Sequence, residues 1–158
     1  MKNKNIPLKT VMCFGTFDFL HLGHLNYFEQ AKKYGDYLIV VIARDSTKQK
    51  QKKEILFAEE ERRQLVQALR IVDEAVLGDH QDHYKIISEK NPDIICLGYD
   101  HSISEETLQE ELQRRSLSPQ IVRASPFQPT AQKSSRLRAI LGSDDFNDPA
   151  SQKHIHKL

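Results

Sequence analysis

A chain of 158 residues is long enough for one domain with a real hydrophobic core. Hydrophobic residues make up 39% and charged residues 28%, and the formal net charge is +1, so no global field points to nucleic acid or a membrane and any anion site must be local. No apolar run reaches the length of a membrane span and the N-terminus lacks a signal-peptide core, so the expectation is a cytoplasmic protein.

The first predicted strand is the apolar run Val11–Phe14, which leads straight into Gly15-Thr16-Phe17-Asp18-Phe19-Leu20-His21-Leu22-Gly23-His24. A helical pattern from Leu25 to Tyr34 leads out, so the segment reads as strand, tight turn and a helix starting near the second histidine. On a first helical turn the spacing of His21 and His24 places both on one face. The same turn carries unpaired backbone N–H groups and the positive end of the helix dipole. Two imidazoles, free amides and a dipole converging on one spot make a site for phosphate oxygens. Gly15 is read as the residue that lets the chain turn off the strand, and Gly23 as one that lets backbone approach a bulky anion.

Asp36–Ala43 is a continuous apolar run of strand length, the pattern of a parallel strand covered on both faces. Lys48-Gln49-Lys50-Gln51-Lys52-Lys53 follows and reads as a solvated loop, placed where mobile lysines could close over a triphosphate. Beyond it the pattern alternates: helix Ala58–Arg70, strand Glu74–Leu77, helix His83–Lys90, strand Asp93–Leu97, helix Glu105–Arg115, strand Gln120–Arg123 and a short helix Ser134–Leu141. Such alternation predicts an α/β fold, a Rossmann-like doubly wound five-stranded parallel sheet with helices on both faces. Residues 1–141 are expected to form this single domain, with 142–158 a polar tail. In such sheets ligands sit beyond the carboxyl ends of the strands at the topological switch point. The signature, Arg44-Asp45, Gly78 and Gly98-Tyr99-Asp100 all fall there. Cys13 and Cys96 lie inside strand-like runs and are expected to be buried, reduced thiols.

The Gly-Thr-Phe-Asp-x-x-His-x-Gly-His string resembles the signature of the cytidylyltransferase-like nucleotidyltransferases. Over a wider span the chain is similar to archaeal FAD synthetases: Ile42-Ala43-Arg44-Asp45, Glu60-Glu61-Arg62-Arg63, Val72–Gly78, Asn91–Gly98 and Ser104–Leu112 carry the likeness, which loosens after Arg123. Glycerol-3-phosphate cytidylyltransferases share the signature, the lysine-rich loop and the Val-Asp-Glu element. They usually carry Asp-Trp after the fourth strand and Arg-Thr-Glu-Gly before the last motif. Here the chain has no tryptophan, reads Asp100-His101, and has Arg123-Ala124-Ser125-Pro126-Phe127. It also lacks the C-terminal cysteines of the archaeal enzymes.

The resemblance implies transfer of AMP from ATP to FMN, giving FAD and pyrophosphate, with a divalent cation, Mg²⁺, on the triphosphate and no dedicated metal ligands. It implies His21, His24, Lys53 and Arg62 as catalytic groups, the last two on the β- and γ-phosphates. Nucleotide contacts are implied for Gly15, Thr16, Phe17, Asp18, Leu22, Gly23, Asp100, Phe127, Ser134 and Ser135. A homodimer is implied as well, with Arg70–Asp73 resembling the contact region. The alternatives are cytidylyl transfer from CTP to a small phosphate such as glycerol 3-phosphate, adenylylation of a heptose phosphate, and a non-catalytic nucleotide-binding module.

Overall fold

A computed structural model describes residues 8–52 and 54–127, and every strand it contains pairs in parallel. The strands are β1 Thr10–Gly15, β2 Tyr37–Ile42, β3 Glu74–Leu77, β4 Ile94–Leu97 and β5 Gln120–Arg123. The helices are α1 Leu22–Lys32, α2 Asp45–Lys50, α3 Glu59–Gln67, α4 Lys85–Lys90 and α5 Glu105–Arg114. Among the described residues no helix is long and apolar enough to cross a membrane. The expected helix Ser134–Leu141 and the tail after it lie outside the described residues.

The pleat of the central strand divides the core in two. Val11 and Cys13 face one layer with Phe28 and Ala31 of α1 and Val66 of α3. Met12 faces the other, with Ile87 of α4 and Leu108 and Leu112 of α5. Alternate residues of β1 thus point to opposite faces, and each face is covered by two helices. This is the doubly wound fold that the strand–helix alternation predicted. The uninterrupted apolar run of β2 has its reason here too, because Leu38 through Ile42 are buried from both sides. Both cysteines are buried free thiols, as expected, and the structure sets Cys13 opposite Cys96 in register on neighbouring strands.

The sheet order is β3-β2-β1-β4-β5. The chain winds outward from β1 through β2 to β3, then returns to the other side of β1 for β4 and β5. The switch point therefore lies at the carboxyl end of β1, where the signature begins.

Two boundaries depart from expectation. Helix α1 starts at Leu22 rather than near His24, because the His21 Nδ1 accepts a hydrogen bond from the Gly23 N–H at 3.1 Å and makes His21 the N-cap. The front of the lysine-rich run is helical, as α2, and not a loop. Its first N–H groups are answered from elsewhere: the Asp45 N–H donates to Glu59 Oε2 at 2.8 Å, and the Glu59 N–H donates to Asp45 Oδ2 at 3.2 Å. Two helix starts cap each other, an arrangement invisible to any local window.

Candidate active site

The signature turns on a phenylalanine. Phe17 holds φ at 53°, and its buried ring folds back beneath Gly15, where an added Cβ would lie 2.4 Å from Phe17 Cζ. No glycine among the described residues has positive φ. Gly15 is therefore required for ring clearance, which corrects the reading of Gly15 as the turn-forming residue. The ring of Phe17 also meets His24 edge-on, centroids 5.2 Å apart, so Phe17 presents only its backbone toward a ligand.

His21 and His24 do come together: their rings stack at 3.9 Å with 24° between planes. The Gly23 N–H on His21 Nδ1 means that the neutral His21 ring carries its proton on Nε2, leaving that atom a donor. His24 Nδ1 is buried with no hydrogen-bond partner, the kind of unsatisfied group that marks functional sites. Burial, and then the neighbouring His21, push His24 down to about 3, and burial lowers His21 as well. Both rings are neutral donors at neutral pH, ready to meet phosphate oxygens without carrying a desolvated charge.

A pH dependence of stability follows from the direction of these shifts. The unfolded chain protonates His24 near 6.5 while the folded chain resists it down to about 3, so stability is intact above 6.5 and falls as pH drops below it. One such group costs about 1.4 kcal/mol by pH 5.5. Urea unfolding at pH 7.5 and 5.5 is expected to show this loss in the wild type and a smaller one in His24→Gln. Equal losses would show that His24 is not held neutral.

Asp18 sits beneath the rim rather than on it. It is buried, and its carboxylate accepts the Phe57 and Leu56 N–H groups, each at 2.9 Å. It ties the far end of the lysine-rich segment to the signature, a positioning job that the sequence did not reveal. Arg62 is also moved from its expected place. It is fully buried, with Nε donating to the Phe57 carbonyl at 3.0 Å, one terminal nitrogen to the Thr16 carbonyl at 2.7 Å, and the other to the Ala43 carbonyl at 2.9 Å and Asp45 Oδ1 at 2.5 Å. The guanidinium joins signature, β2 end and lysine-rich segment, and the fork it was expected to extend to phosphate is met by these four oxygens.

Across β1 the rim is held by groups that sequence reasoning passed over. Arg123, the last residue of β5, donates to the carbonyls of Gly98 at 3.0 Å, His101 at 3.2 Å and Ile103 at 2.8 Å. It fixes the loop that displays exposed Asp100. His101 accepts the Gly98 N–H on Nδ1 at 3.2 Å and meets the Tyr27 ring edge-on. Tyr27 in turn donates from its hydroxyl to the Cys96 carbonyl at 2.5 Å, fastening α1 to β4. Burial lowers the His101 pKa, Asp100 opposes the shift, and Arg123 and Lys48 add to it. An arginine closing a strand was the available signal for Arg123.

Leu22 is exposed at the first turn of α1, Gly23 lies in the same turn, and Phe127 is half-buried beyond β5. Lys53, Ser134 and Ser135 lie outside the described residues. Among those described, no group of three or more His, Cys, Asp or Glu could hold a metal ion.

Residues 12–140 match the family described as cytidylyltransferase-like. The chain is 47% identical over 116 residues to the FAD synthase of Ferroglobus placidus, covering 73% of this chain and 76% of that one. It is 41% identical over 128 residues to the FAD synthase of Picrophilus torridus, covering 81% and 92%. A solved structure titled as the lipopolysaccharide core biosynthesis protein from Thermoplasma volcanium GSS1 superposes with a TM-score of 0.75 at 43% identity, covering 77% of this chain and 99% of that one.

Proposed function

The chain belongs to the cytidylyltransferase-like family, and from that premise we propose that it transfers AMP from ATP to FMN, releasing pyrophosphate and forming FAD. The observation that carries the choice of reactants is its 47% and 41% identity, over most of both lengths, to FAD synthases. The stacked histidine pair at the switch point supports the reaction class.

The FMN phosphate attacks the α-phosphorus of ATP in line. One P–O bond forms as the bond to pyrophosphate breaks, and no covalent enzyme intermediate is needed. The protein then has two tasks, holding the reactants in line and stabilising charge on the phosphoryl oxygens. His21 Nε2 and the His24 ring act as neutral donors to those oxygens. Lys53 and the lysines of α2 draw the β- and γ-phosphates, with Ser134 and Ser135 adding donors. The nucleoside lies along the β4–β5 side, beside Asp100 and Phe127. Backbone groups of Gly15 through Asp18, together with Leu22 and Gly23, form the floor. Arg62 and Asp18 keep this floor in register from beneath. A divalent cation, Mg²⁺, would accompany the triphosphate and offset its charge. A homodimer in the cytoplasm completes the reading, supported by the resemblance of Arg70–Asp73 to a dimer contact.

The likeness to the lipopolysaccharide core biosynthesis protein of Thermoplasma volcanium keeps a sugar phosphate among the acceptors to be tried. ATP and CTP should each be incubated with FMN, glycerol 3-phosphate and heptose 1-phosphate, with inorganic pyrophosphatase reporting turnover. FAD from ATP and FMN is the expected product. CDP-glycerol without FAD would overturn the proposal, and no phosphate release with any acceptor would mark a binding module.

A further inference from the structure

A cavity of about 310 Å³ opens beyond the carboxyl ends of β1, β2 and β3, roofed by α2. Its inner wall is Phe14 and Gly15, so it begins where the signature begins. Ile103 adds apolar surface, buried Val41 and Ile42 close the cavity from behind, and Thr47 of α2, Gln51 just after it, Asp79 and His83 supply polar groups. Small-molecule sites have this character, a mostly apolar concavity of a few hundred Å³ with a few polar groups placed to orient the ligand.

The walls are fixed before any ligand arrives. Arg44 donates from Nε to the Gly78 carbonyl at 2.6 Å and from a terminal nitrogen to Glu59 Oε1 at 2.8 Å, which locks the end of β2 to the end of β3 and to α3. Ile103 is held at the opposite side by Arg123, which donates to its carbonyl at 2.8 Å. Preorganised walls lower the ordering cost of binding.

Most of the cavity lining lies on the β2–β3 side of β1, with Ile103 reaching it from the loop after β4, whereas Asp100 and the Tyr27–His101 contact lie on the β4 side. The histidine pair stands between, at the end of β1. An in-line transfer needs two reactants meeting at one phosphorus from different directions. Each side of β1 can therefore receive one of them. A glycerol chain, nearly all hydroxyl and phosphate, would leave the part-exposed apolar faces of Phe14 and Ile103, on either side of the cavity, unmatched. A flat heteroaromatic ring would cover them, with Thr47 and Gln51 supplying both donors and acceptors to its carbonyl and N–H edge.

We infer that this cavity holds the isoalloxazine ring of the flavin acceptor, with the ribityl phosphate directed past Gly15 toward the histidine pair. The inference rests on the acceptor proposed above and names where its ring is recognised. It makes ring binding separable from the phosphate, so riboflavin, and lumichrome as the bare ring, should bind in competition with FMN and not with ATP.

The test is fluorescence titration of riboflavin and lumichrome on the full chain, on Thr47→Trp, which fills the cavity from above, and on Ile103→Thr, which removes apolar surface while keeping the β-branch. Thermal melts verify folding, and FAD formation is assayed in parallel. Each variant is expected to weaken riboflavin and FMN binding by about tenfold or more while ATP affinity stays within about twofold. Unchanged FMN binding in both folded variants would overturn the cavity assignment, and FAD formation by the wild type would leave the acceptor proposal standing. Displacement of riboflavin by ATP would also overturn it, by giving the cavity to the nucleotide. A wild type that makes no FAD, yet binds lumichrome with sensitivity to both substitutions, would support the cavity and sink the acceptor proposal. A wild type that neither makes FAD nor binds lumichrome would end both.

Discussion

His24→Ala is expected to fold as the wild type does and to lose at least about two orders of magnitude in turnover. Removing one preorganised donor to a developing oxyanion takes away about 3–4 kcal/mol of transition-state stabilisation, or roughly 100- to 1000-fold in rate. Folding should survive because the deletion removes a buried Nδ1 that has no partner, at the cost of the stack on His21, an edge contact on Phe17 and the contact with the Phe19 backbone. The loss should appear in kcat more than in KM for ATP, since a neutral donor engages the transition state more strongly than the ground state. His24→Asn, which keeps a donor, should recover part of the rate. Single-turnover measurements with ATP and FMN decide the matter, and near-native turnover in the alanine variant would remove the ring from the mechanism.

The second large effect falls on stability. Arg62→Ala leaves the carbonyls of Thr16, Ala43 and Phe57 and one carboxylate oxygen of Asp45 without their donor. Deleting one partner of a buried charged pair typically costs about 3–5 kcal/mol, and the half-open side of Asp45 puts the expectation at the lower end. That is a large share of the roughly 5–15 kcal/mol that holds a domain folded, and the melting temperature should drop by about 6–12 °C. Arg62→Lys keeps the charge but loses the fork, so it should fall between. Calorimetry of both variants, beside KM for ATP, separates two roles. A pin beneath the site lowers the melting temperature in both variants. A phosphate ligand would leave it unchanged and raise only the KM for ATP.

These two residues also show how unevenly the chain could be read. The histidine pair was legible because its chemistry is local: a strand end, a short turn and a helix start lie consecutively, and the spacing alone puts both rings on one side. Arg62 was legible as important but not as what it does. A helical arginine near a phosphate rim looks the same in sequence whether it points out to solvent or back into the fold. Its acceptors come from three other segments, and only the packing of α3 against β2 brings them within reach. Asp18 is a second instance, since the amides it holds are far along the chain. Gly15 is a third, because the need for glycine there comes from where the Phe17 ring folds.

The order of the strands and of every described helix except α2, the double burial of β2, the parallel sheet and the reaction class were written in short-range patterns, because apolar periodicity, strand length and the signature are properties of neighbours along the chain. The helical start of the lysine segment, the arginines under both rims, the tautomer of His21 and the ring cavity beside β1 were decided by contacts between distant segments. Hydrogen-bond partners for buried polar groups are assigned by the fold as a whole, so a linear reading can name such a group but not its partner.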